Sequence, residues 1–239
     1  MIPLRDDNPT STAPILTVAL IAANVLVFFY QVSLGPEARE VLVYQFGTIP
    51  AAVTGSRALP EALAVIPPIF SVFTSMFLHG GWLHLIGNML YLWIFGNNIE
   101  DAMGHVRYLI FYLLCGVAAS FSHILSDAQS VIPSIGASGA ISGVLGAYLL
   151  LYPRARVLVL VPLGFFTQLM HIPASIVLGI WFLLQLLSSA VSNSQGGGVA
   201  WWAHIGGFVA GMILVALFKK RHVRFFNPPL PQSGRYPDA

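Results

Sequence analysis

Long apolar stretches, separated by short polar segments, make up most of this chain. A bilayer core of about 30 Å requires roughly 20 mostly apolar residues for each crossing helix. The hydrophobic pattern indicates six stretches that meet or approach this length: residues 14–34, 78–97, 105–126, 138–152, 171–191 and 199–218. From Val157 to Phe218 there is no Asp, Glu, Lys or Arg. The pattern therefore predicts an all-α, polytopic membrane domain of six transmembrane helices over residues 14–218.

Composition agrees with a membrane protein and excludes several other classes. The 239 residues are 56% hydrophobic and only 8% charged, whereas soluble domains carry about 25% charged residues. This excludes a disordered chain, a nucleic-acid-binding protein and an ordinary soluble enzyme. The single cysteine, Cys115, can form no internal disulfide, and no zinc-finger spacing is present. The lipid bilayer is the expected environment, and no nucleic-acid partner is expected.

Positive charges predict the orientation, because cytoplasmic segments of membrane proteins are enriched in Lys and Arg. An N-terminus inside places nine of the 11 Lys and Arg residues in the cytoplasm and leaves only Arg39 and Arg57 outside. Both termini are therefore expected on the cytoplasmic side. The chain then divides into a cytoplasmic N-terminal segment (1–13), the membrane domain with a long outer loop at 35–70, and a basic, proline-rich cytoplasmic tail (219–239) that we expect to be disordered.

The fourth apolar stretch is too short to cross a whole bilayer. Residues 138–152 make about 22 Å of helix, and Tyr152, Arg154 and Arg156 place the inner end at the cytoplasmic interface. The outer end, which begins with Ser138, must then lie below the outer surface. The preceding segment, SDAQSVIPSIGA, has an irregular sequence, and irregular backbone is tolerated at that depth only inside protein or beside water. A water-filled cavity open to the outside is predicted, with Ser138 at its floor.

Further polar residues lie at the depth of Ser138. His84 and Asn88 fall in the outer part of the second helix and, being four residues apart, share one face. His204 lies about 8 Å below the outer end of the sixth helix. Ionisable residues inside a membrane indicate a functional site. Small residues that allow close backbone approach run along the fourth and sixth helices: Gly139, Gly143 and Gly146, and Ala203, Gly207 and Gly211.

These residue types suit acyl transfer. A serine hydroxyl is a weak nucleophile that a neutral histidine within hydrogen-bond reach activates, so Ser138 and His204 are predicted as a catalytic pair. No acid is present in either helix, which predicts a dyad rather than a triad. The backbone N–H of Ser138 at its helix start, the Asn88 amide and the His84 imidazole are candidate donors to an oxyanion. No cofactor is expected.

Depth alone leaves alternatives open. His79 and His123 also lie at the right depth, so a Ser138–His123 pair is an alternative. A metal site formed by His79, His84 and His204 is another, although no carboxylate joins them and no HExxH motif is present. At the level of function, the alternatives are a non-catalytic scaffold that binds membrane proteins and a small transporter. The nearly charge-free, unrepeated helices disfavour the transporter.

Three segments, in this order along the chain, resemble the rhomboid family of intramembrane serine proteases. They are HGGWLHLIGNMLYLWIFGNNIED (His79 to Asp101), GASGAISGVLGAY (Gly136 to Tyr148) and AHIGGFVAG (Ala203 to Gly211). The resemblance covers residues from about 14 to 218 and implies a six-helix rhomboid-like bundle. It also implies proteolysis of transmembrane protein substrates near the outer membrane face. We expect the membrane to be a bacterial inner membrane.

The resemblance implies a role for each candidate residue. Ser138 in GxSG is the nucleophile, and His204 in AHxGG is the general base of a Ser-His dyad that passes through an acyl-enzyme. His84 and Asn88 stabilise the oxyanion, together with the Ser138 backbone. The motif glycines that shape the backbone around the nucleophile are Gly136 and Gly139.

The resemblance also concerns the loops. In the family the first outer loop is partly embedded in the membrane, and the fifth helix with the last outer loop, here 171–191 and 192–198, gates the access of substrate. Some members carry Trp-Arg at the end of the first loop, where this chain has PPIFSVFTS. Some carry an aromatic residue four positions after the nucleophile, where this chain has Ser142. These departures concern loop anchoring and histidine support, not the reaction class.

Overall fold

The computed structural model describes residues 1–163, 166–191 and 200–227, so the predictions for the outer loop 192–198 and for the end of the tail lie outside these residues. Helices and strands follow in the order β1 (Ile2–Asp6), α1 (Ile15–Ser33), α2 (Pro36–Phe46), α3 (Pro50–Val53), α4 (Ser71–Thr74), α5 (Trp82–Met103), α6 (His105–Ser126), α7 (Ser138–Leu151), β2 (Arg156–Leu163), β3 (Phe166–Pro173), α8 (Ala174–Val191) and α9 (Trp201–Phe218). Short 3₁₀ turns occur at Glu61–Leu63, Pro68–Phe70 and Ser75–Phe77.

The long helices occupy the predicted apolar stretches. α6 has the predicted ends, and the boundaries of α1, α5, α7, α8 and α9 differ from prediction by at most six residues. Within the described ranges, α1, α6, α8 and α9 are long and apolar enough to cross a membrane. α5 adds a fifth candidate span if it is counted together with the helical segment Glu61–Phe77, from which it is bent by 80°. α7 is also apolar, but it is shorter than the helices that could cross a membrane alone. The chain is a multi-pass membrane protein; six crossings with both termini inside stay a prediction.

α7 lies at the centre of the bundle, with its residues from Gly139 to Tyr148 all buried. Glycines let it approach α9 closely. A Cβ added to Gly207 would lie 2.0 Å from the carbonyl oxygen of Gly139, and one added to Gly211 would lie 2.0 Å from that of Gly143. The two stripes of small residues therefore meet, and they bring the first turn of α7 next to the first turn of α9.

A three-stranded antiparallel sheet in the order β1-β2-β3 corrects the prediction of an all-α chain. β2 and β3 form a hairpin before α8, so α8 begins three residues later than predicted. Burial alternates along the first half of β2: Val157 and Val159 are 0% exposed, whereas Leu158 and Leu160 are half-buried. This period of two is typical of a strand with one covered face. Within a long apolar run, the same residues are also compatible with a membrane helix, which hides the strand.

The first residues of the tail are ordered against the bundle, which corrects the prediction of disorder from residue 219. The N–H groups of Lys220 and Phe226 donate to the carbonyl oxygens of Ala102 and Leu150, at 2.8 Å each. These carbonyls belong to the last turns of α5 and α7, where a helix leaves acceptors unpaired. The described part of the tail therefore caps two helix ends through backbone bonds.

The long loop at 35–70 has helices of its own and is anchored beside the GxSG segment. Thr48 and Ser134 exchange two backbone hydrogen bonds, of 3.0 and 2.8 Å, that join the loop to the segment before α7. The Thr48 hydroxyl donates to the Ser75 hydroxyl at 2.9 Å, and the Gly136 N–H donates to the Ser75 carbonyl oxygen at 2.9 Å. These bonds anchor the loop although the Trp-Arg pair of some family members is absent.

Strand β1 is tied to α7 by a half-buried carboxyl group. The Tyr148 hydroxyl donates to Asp6 Oδ2 at 2.5 Å, and burial raises the pKa of Asp6 from 3.8 to about 6. Because the folded-state pKa lies above the unfolded one, folding favours the protonated carboxyl. Docking of β1 is therefore strongest at low pH and weakens as the pH rises through 6.

We expect this titration to be visible in hydrogen exchange. The protection factors of the β1 amides, which correct for the intrinsic pH dependence of exchange, should fall severalfold from about pH 5 to about pH 7.5. In Asp6→Asn, whose side chain stays neutral, they should be the same at both values. Wild-type protection factors that do not change with pH would contradict the role assigned to Asp6.

Candidate active site

A cavity of about 880 Å³ lies between the N-terminal part of α5, the C-terminal part of α6, and the first turns of α7 and α9. Its lining includes the four side chains that the depth argument selects, Ser138, His84, Asn88 and His204. His123 of α6 lines it as well. The fold therefore brings residues from four helices to one space, although they are far apart in the sequence.

Ser138 and His204 are in direct contact. Ser138 is the first residue of α7 and His204 lies in the first turn of α9, so the close α7–α9 packing places them side by side. Ser138 Oγ and His204 Nε2 form a hydrogen bond of 2.7 Å. Among the described residues, no bond joins Ser138 to His123. The geometry favours His204 over His123 as the partner of the serine.

A third side chain, which was not predicted from the sequence, completes this contact. His204 Nδ1, on the other side of the ring, lies 2.8 Å from Oε1 of Gln185 on α8. Gln185 is 7% exposed and His204 is 9% exposed, so the bond is shielded from solvent. A single glutamine inside the apolar segment LGIWFLLQLL was the available signal, because buried polar groups need a partner.

Aromatic residues on α8 and α9 support the His204 ring. The rings of Trp181 and Trp201 lie with their centroids 5.9 and 6.2 Å from that of His204. Ser142, at the position where some family members carry an aromatic residue, instead donates its hydroxyl to the Ser138 carbonyl oxygen at 2.6 Å. In this chain, support for the histidine thus comes from the two tryptophans rather than from α7.

His84 is oriented by the backbone before α5. The N–H of Gly80 donates to His84 Nδ1 at 3.3 Å, so Nδ1 is unprotonated and the proton of the neutral ring is on Nε2. Nε2 faces the turn that leads to the serine: a Cβ at Gly136 would lie 2.7 Å from it and 3.7 Å from Ser138 Oγ. An N–H donor therefore faces the space beside the hydroxyl of Ser138.

Both glycines of the GxSG segment are required by close contacts. Gly136 has a φ of +125°, a conformation that residues with a side chain rarely adopt, and its Cα lies against the His84 ring. Gly139 faces α6, where an added Cβ would lie 2.6 Å from the Cβ of Ala119. The first glycine shapes the turn before Ser138, and the second lets α7 pack on α6.

Asn88 is buried and is held by His79. Asn88 Nδ2 lies 3.0 Å from His79 Nε2, and the His79 backbone N–H donates to the side-chain oxygen of Gln31 at 2.9 Å. His79 therefore positions Asn88 rather than facing Ser138. Among the described residues, no three His, Cys, Asp or Glu side chains are arranged to hold a metal ion, so the alternative metal site is not formed there.

Comparison with known proteins finds a family and several curated relatives that match more than half of the chain. The Rhomboid domain family matches residues 68–221. The chain is 30% identical over 215 residues to Rhomboid protein 1, mitochondrial, of Saccharomyces cerevisiae, which covers 82% of this chain and 58% of the relative. It is 33% identical over 204 residues to Rhomboid protease GluP of Bacillus subtilis, and the match covers 85% of this chain and 34% of that relative. It is 32% identical over 173 residues to RHOMBOID-like protein 5 of Arabidopsis thaliana, and this match covers 68% of this chain and 48% of that relative. The chain thus spans about half the length of these curated relatives.

Proposed function

The chain belongs to the rhomboid family, and we propose that it is an intramembrane serine endopeptidase that cleaves transmembrane proteins. The observation that carries the proposal is the 2.7 Å contact between Ser138 Oγ and His204 Nε2 in a cavity of a membrane-protein bundle. Similarity to a rhomboid protease supports the same reaction class. A hydroxyl in contact with a neutral imidazole is the arrangement that activates a serine nucleophile.

The proposed reaction proceeds through an acyl-enzyme. His204 Nε2 accepts the proton of Ser138 Oγ while Oγ attacks the carbonyl carbon of the scissile peptide bond. The imidazolium of His204 then gives its proton to the leaving amine, and the C–N bond breaks. A water molecule from the cavity then loses a proton to His204 and attacks the acyl carbon. The C–Oγ ester bond breaks, the acid product leaves, and the imidazolium of His204 returns its proton to Ser138 Oγ.

Three groups are proposed to stabilise the oxyanion of the tetrahedral intermediate. The backbone N–H of Ser138 lies in the first turn of α7, where helix N–H groups lack intrahelical partners. His84 presents Nε2–H beside Ser138, because its Nδ1 accepts from Gly80. The amide of Asn88 has two N–H bonds, and the contact with His79 occupies one of them. Preorganised donors of this kind are among the largest contributions to acyl-transfer catalysis.

The shortness of α7 supports cleavage near the outer face. A helix of 14 residues is about 21 Å long, so a bilayer core of about 30 Å extends beyond one of its ends. With both termini inside, as the positive charges predict, the end with Ser138 faces outward and opens into the cavity. From the apolar stretches and the positive charges, we also propose that the chain divides into an N-terminal segment (1–13), a six-helix membrane domain (14–218) and a tail (219–239). The relatives come from bacteria and from mitochondria, so a bacterial inner membrane stays a prediction.

A fluorophosphonate probe tests the activated serine in the purified, detergent-solubilised protein. We expect Ser138→Ala to abolish labelling and His204→Ala to slow it at least about 100-fold, the usual contribution of a general base. His123→Ala should label at nearly the wild-type rate, which makes it the matched control on the same cavity wall. Circular dichroism checks that each variant is folded. Equal labelling of all four proteins would contradict the dyad. A folded wild type that neither labels nor cleaves in liposomes would favour the scaffold alternative.

A further inference from the structure

We infer that Gln185 of α8 is a positioning residue for the general base, because it holds His204 in the tautomer that can accept the Ser138 proton. The inference rests on the proposed function and describes how the same site is prepared for reaction. Gln185 belongs to neither motif that carries the dyad and comes from a third helix. Its side chain is buried, and it bonds His204 on the side of the ring away from Ser138.

The orientation of the Gln185 amide follows from its second partner. Its Nε2 lies 3.1 Å from the backbone carbonyl oxygen of Trp181, one turn earlier in α8. A carbonyl oxygen can only accept a hydrogen bond, so the group that faces it must be the NH₂ of the amide. The amide oxygen Oε1 then faces His204, at 2.8 Å from Nδ1.

This orientation decides which nitrogen of His204 carries the proton. An amide oxygen has no proton to donate, so Nδ1 must be the donor in the bond to Gln185. In a neutral imidazole Nε2 is then unprotonated, and Nε2 is the atom 2.7 Å from Ser138 Oγ. The series of bonds from Trp181 through Gln185 to His204 therefore presents a lone pair to the serine hydroxyl.

A neutral amide performs one function of the acid in a Ser-His-Asp triad. There the carboxylate both fixes the histidine tautomer and stabilises the imidazolium that forms during reaction. Gln185 fixes the tautomer with an uncharged group, which avoids the cost of a charge buried in the membrane.

The orientation of the base also depends on a helix outside the dyad. α8 packs on α9 through stacked rings of Trp181 and Phe182 on Phe208. The Gln185–His204 bond exists only while this packing holds. A displacement of α8 from α9 therefore removes the acceptor from Nδ1.

Nitrogen NMR of labelled histidine tests the bond without using activity. We expect wild-type His204, assigned as the signal lost in His204→Gln, to show a protonated Nδ1 and an unprotonated Nε2. In Gln185→Met, which has similar length but no strong acceptor, the two tautomers should mix. In Gln185→Glu, which keeps an acceptor, the wild-type tautomer should persist. An unchanged tautomer in Gln185→Met would overturn the inference, and this readout stays valid even if the wild type fails to label.

Fluorophosphonate kinetics tests the consequence for the serine. Gln185→Met should lower the maximal labelling rate about tenfold, an effect of the size of one neutral hydrogen bond, and leave the half-saturating probe concentration unchanged. Gln185→Glu should restore the rate to within about threefold of wild type. Gln168→Met, the same exchange at an exposed position of β3, is the matched control and should change neither quantity. A folded Gln185→Met that labels at the wild-type rate, or a loss that Gln185→Glu does not reverse, would overturn the inference.

Discussion

Replacing Gly136 with alanine should reduce Ser138-dependent labelling at least about 100-fold while the helical bundle stays folded. Gly136 has a φ of +125°, and a Cβ there would lie 2.7 Å from His84 Nε2 and 2.8 Å from Cε1. The strain of such a φ costs on the order of 1–3 kcal/mol for a residue with a side chain. The His84 ring and the turn before Ser138 cannot both keep their positions. Either movement displaces a proposed oxyanion donor, and loss of one such donor slows acyl transfer roughly 10²- to 10³-fold.

The labelling rate of Gly136→Ala with the fluorophosphonate measures this effect, and circular dichroism reports whether the bundle is intact. Gly35→Ala is the matched control, because Gly35 lies in the chain between α1 and α2 with an ordinary φ of −62° and open space around its Cα. It should label at the wild-type rate. A folded Gly136→Ala that also labels at the wild-type rate would show that the close His84 contact is not needed for the chemistry.

Gly211→Ala should have its largest effect on folding rather than on chemistry. A Cβ at this position would lie 2.0 Å from the Gly143 carbonyl oxygen and 2.5 Å from its Cα. Both contacts are to backbone, so no side-chain rotation can relieve them and α7 must move away from α9. Overpacking usually costs about 1–3 kcal/mol, and we expect about 3 kcal/mol or more here because two helix backbones must separate.

Thermal unfolding in detergent measures the loss of stability in Gly211→Ala. The matched control is Gly179→Ala, the same exchange on α8 at an exposed position with nothing within 4 Å. Its melting temperature should equal or slightly exceed that of the wild type, because alanine favours a helix over glycine. Serine labelling should fall in Gly211→Ala as well, since Ser138 and His204 lie on the two separated helices. Equal melting temperatures for the two variants would contradict close α7–α9 packing.

The helices of this protein could be predicted from hydrophobicity because each is a long continuous run of apolar residues. The ends of α6 follow directly from this pattern. The sheet could not be predicted in the same way. The buried residues Val157 and Val159 alternate with residues that are also apolar, so the sequence shows no alternation of apolar and polar positions. The ordered start of the tail depends on backbone bonds from Lys220 and Phe226 to helix ends that are distant in the sequence. Such contacts leave no periodic pattern.

Part of the candidate site could also be predicted from patterns in the sequence. Depth in the membrane and the stripes of small residues brought Ser138 and His204 to one level, and the fold places them in contact. Depth could not decide whether His204 or His123 is the partner of Ser138, because depth does not show which side of its helix a residue faces. It also could not find Gln185, because a glutamine has no charge and its role depends on which way α8 is turned.

The proposed activity of this protein is cleavage of a peptide bond of a transmembrane protein by Ser138, activated by His204. Its most direct test is a liposome assay with a single-span reporter that carries small residues near its outer end, with the products identified by mass spectrometry. We predict one cut near the outer end of the reporter span with the wild-type protein, and an intact reporter with Ser138→Ala or His204→Ala. Cleavage that persists in Ser138→Ala, or a reporter that stays intact with folded wild-type protein, would contradict the claim.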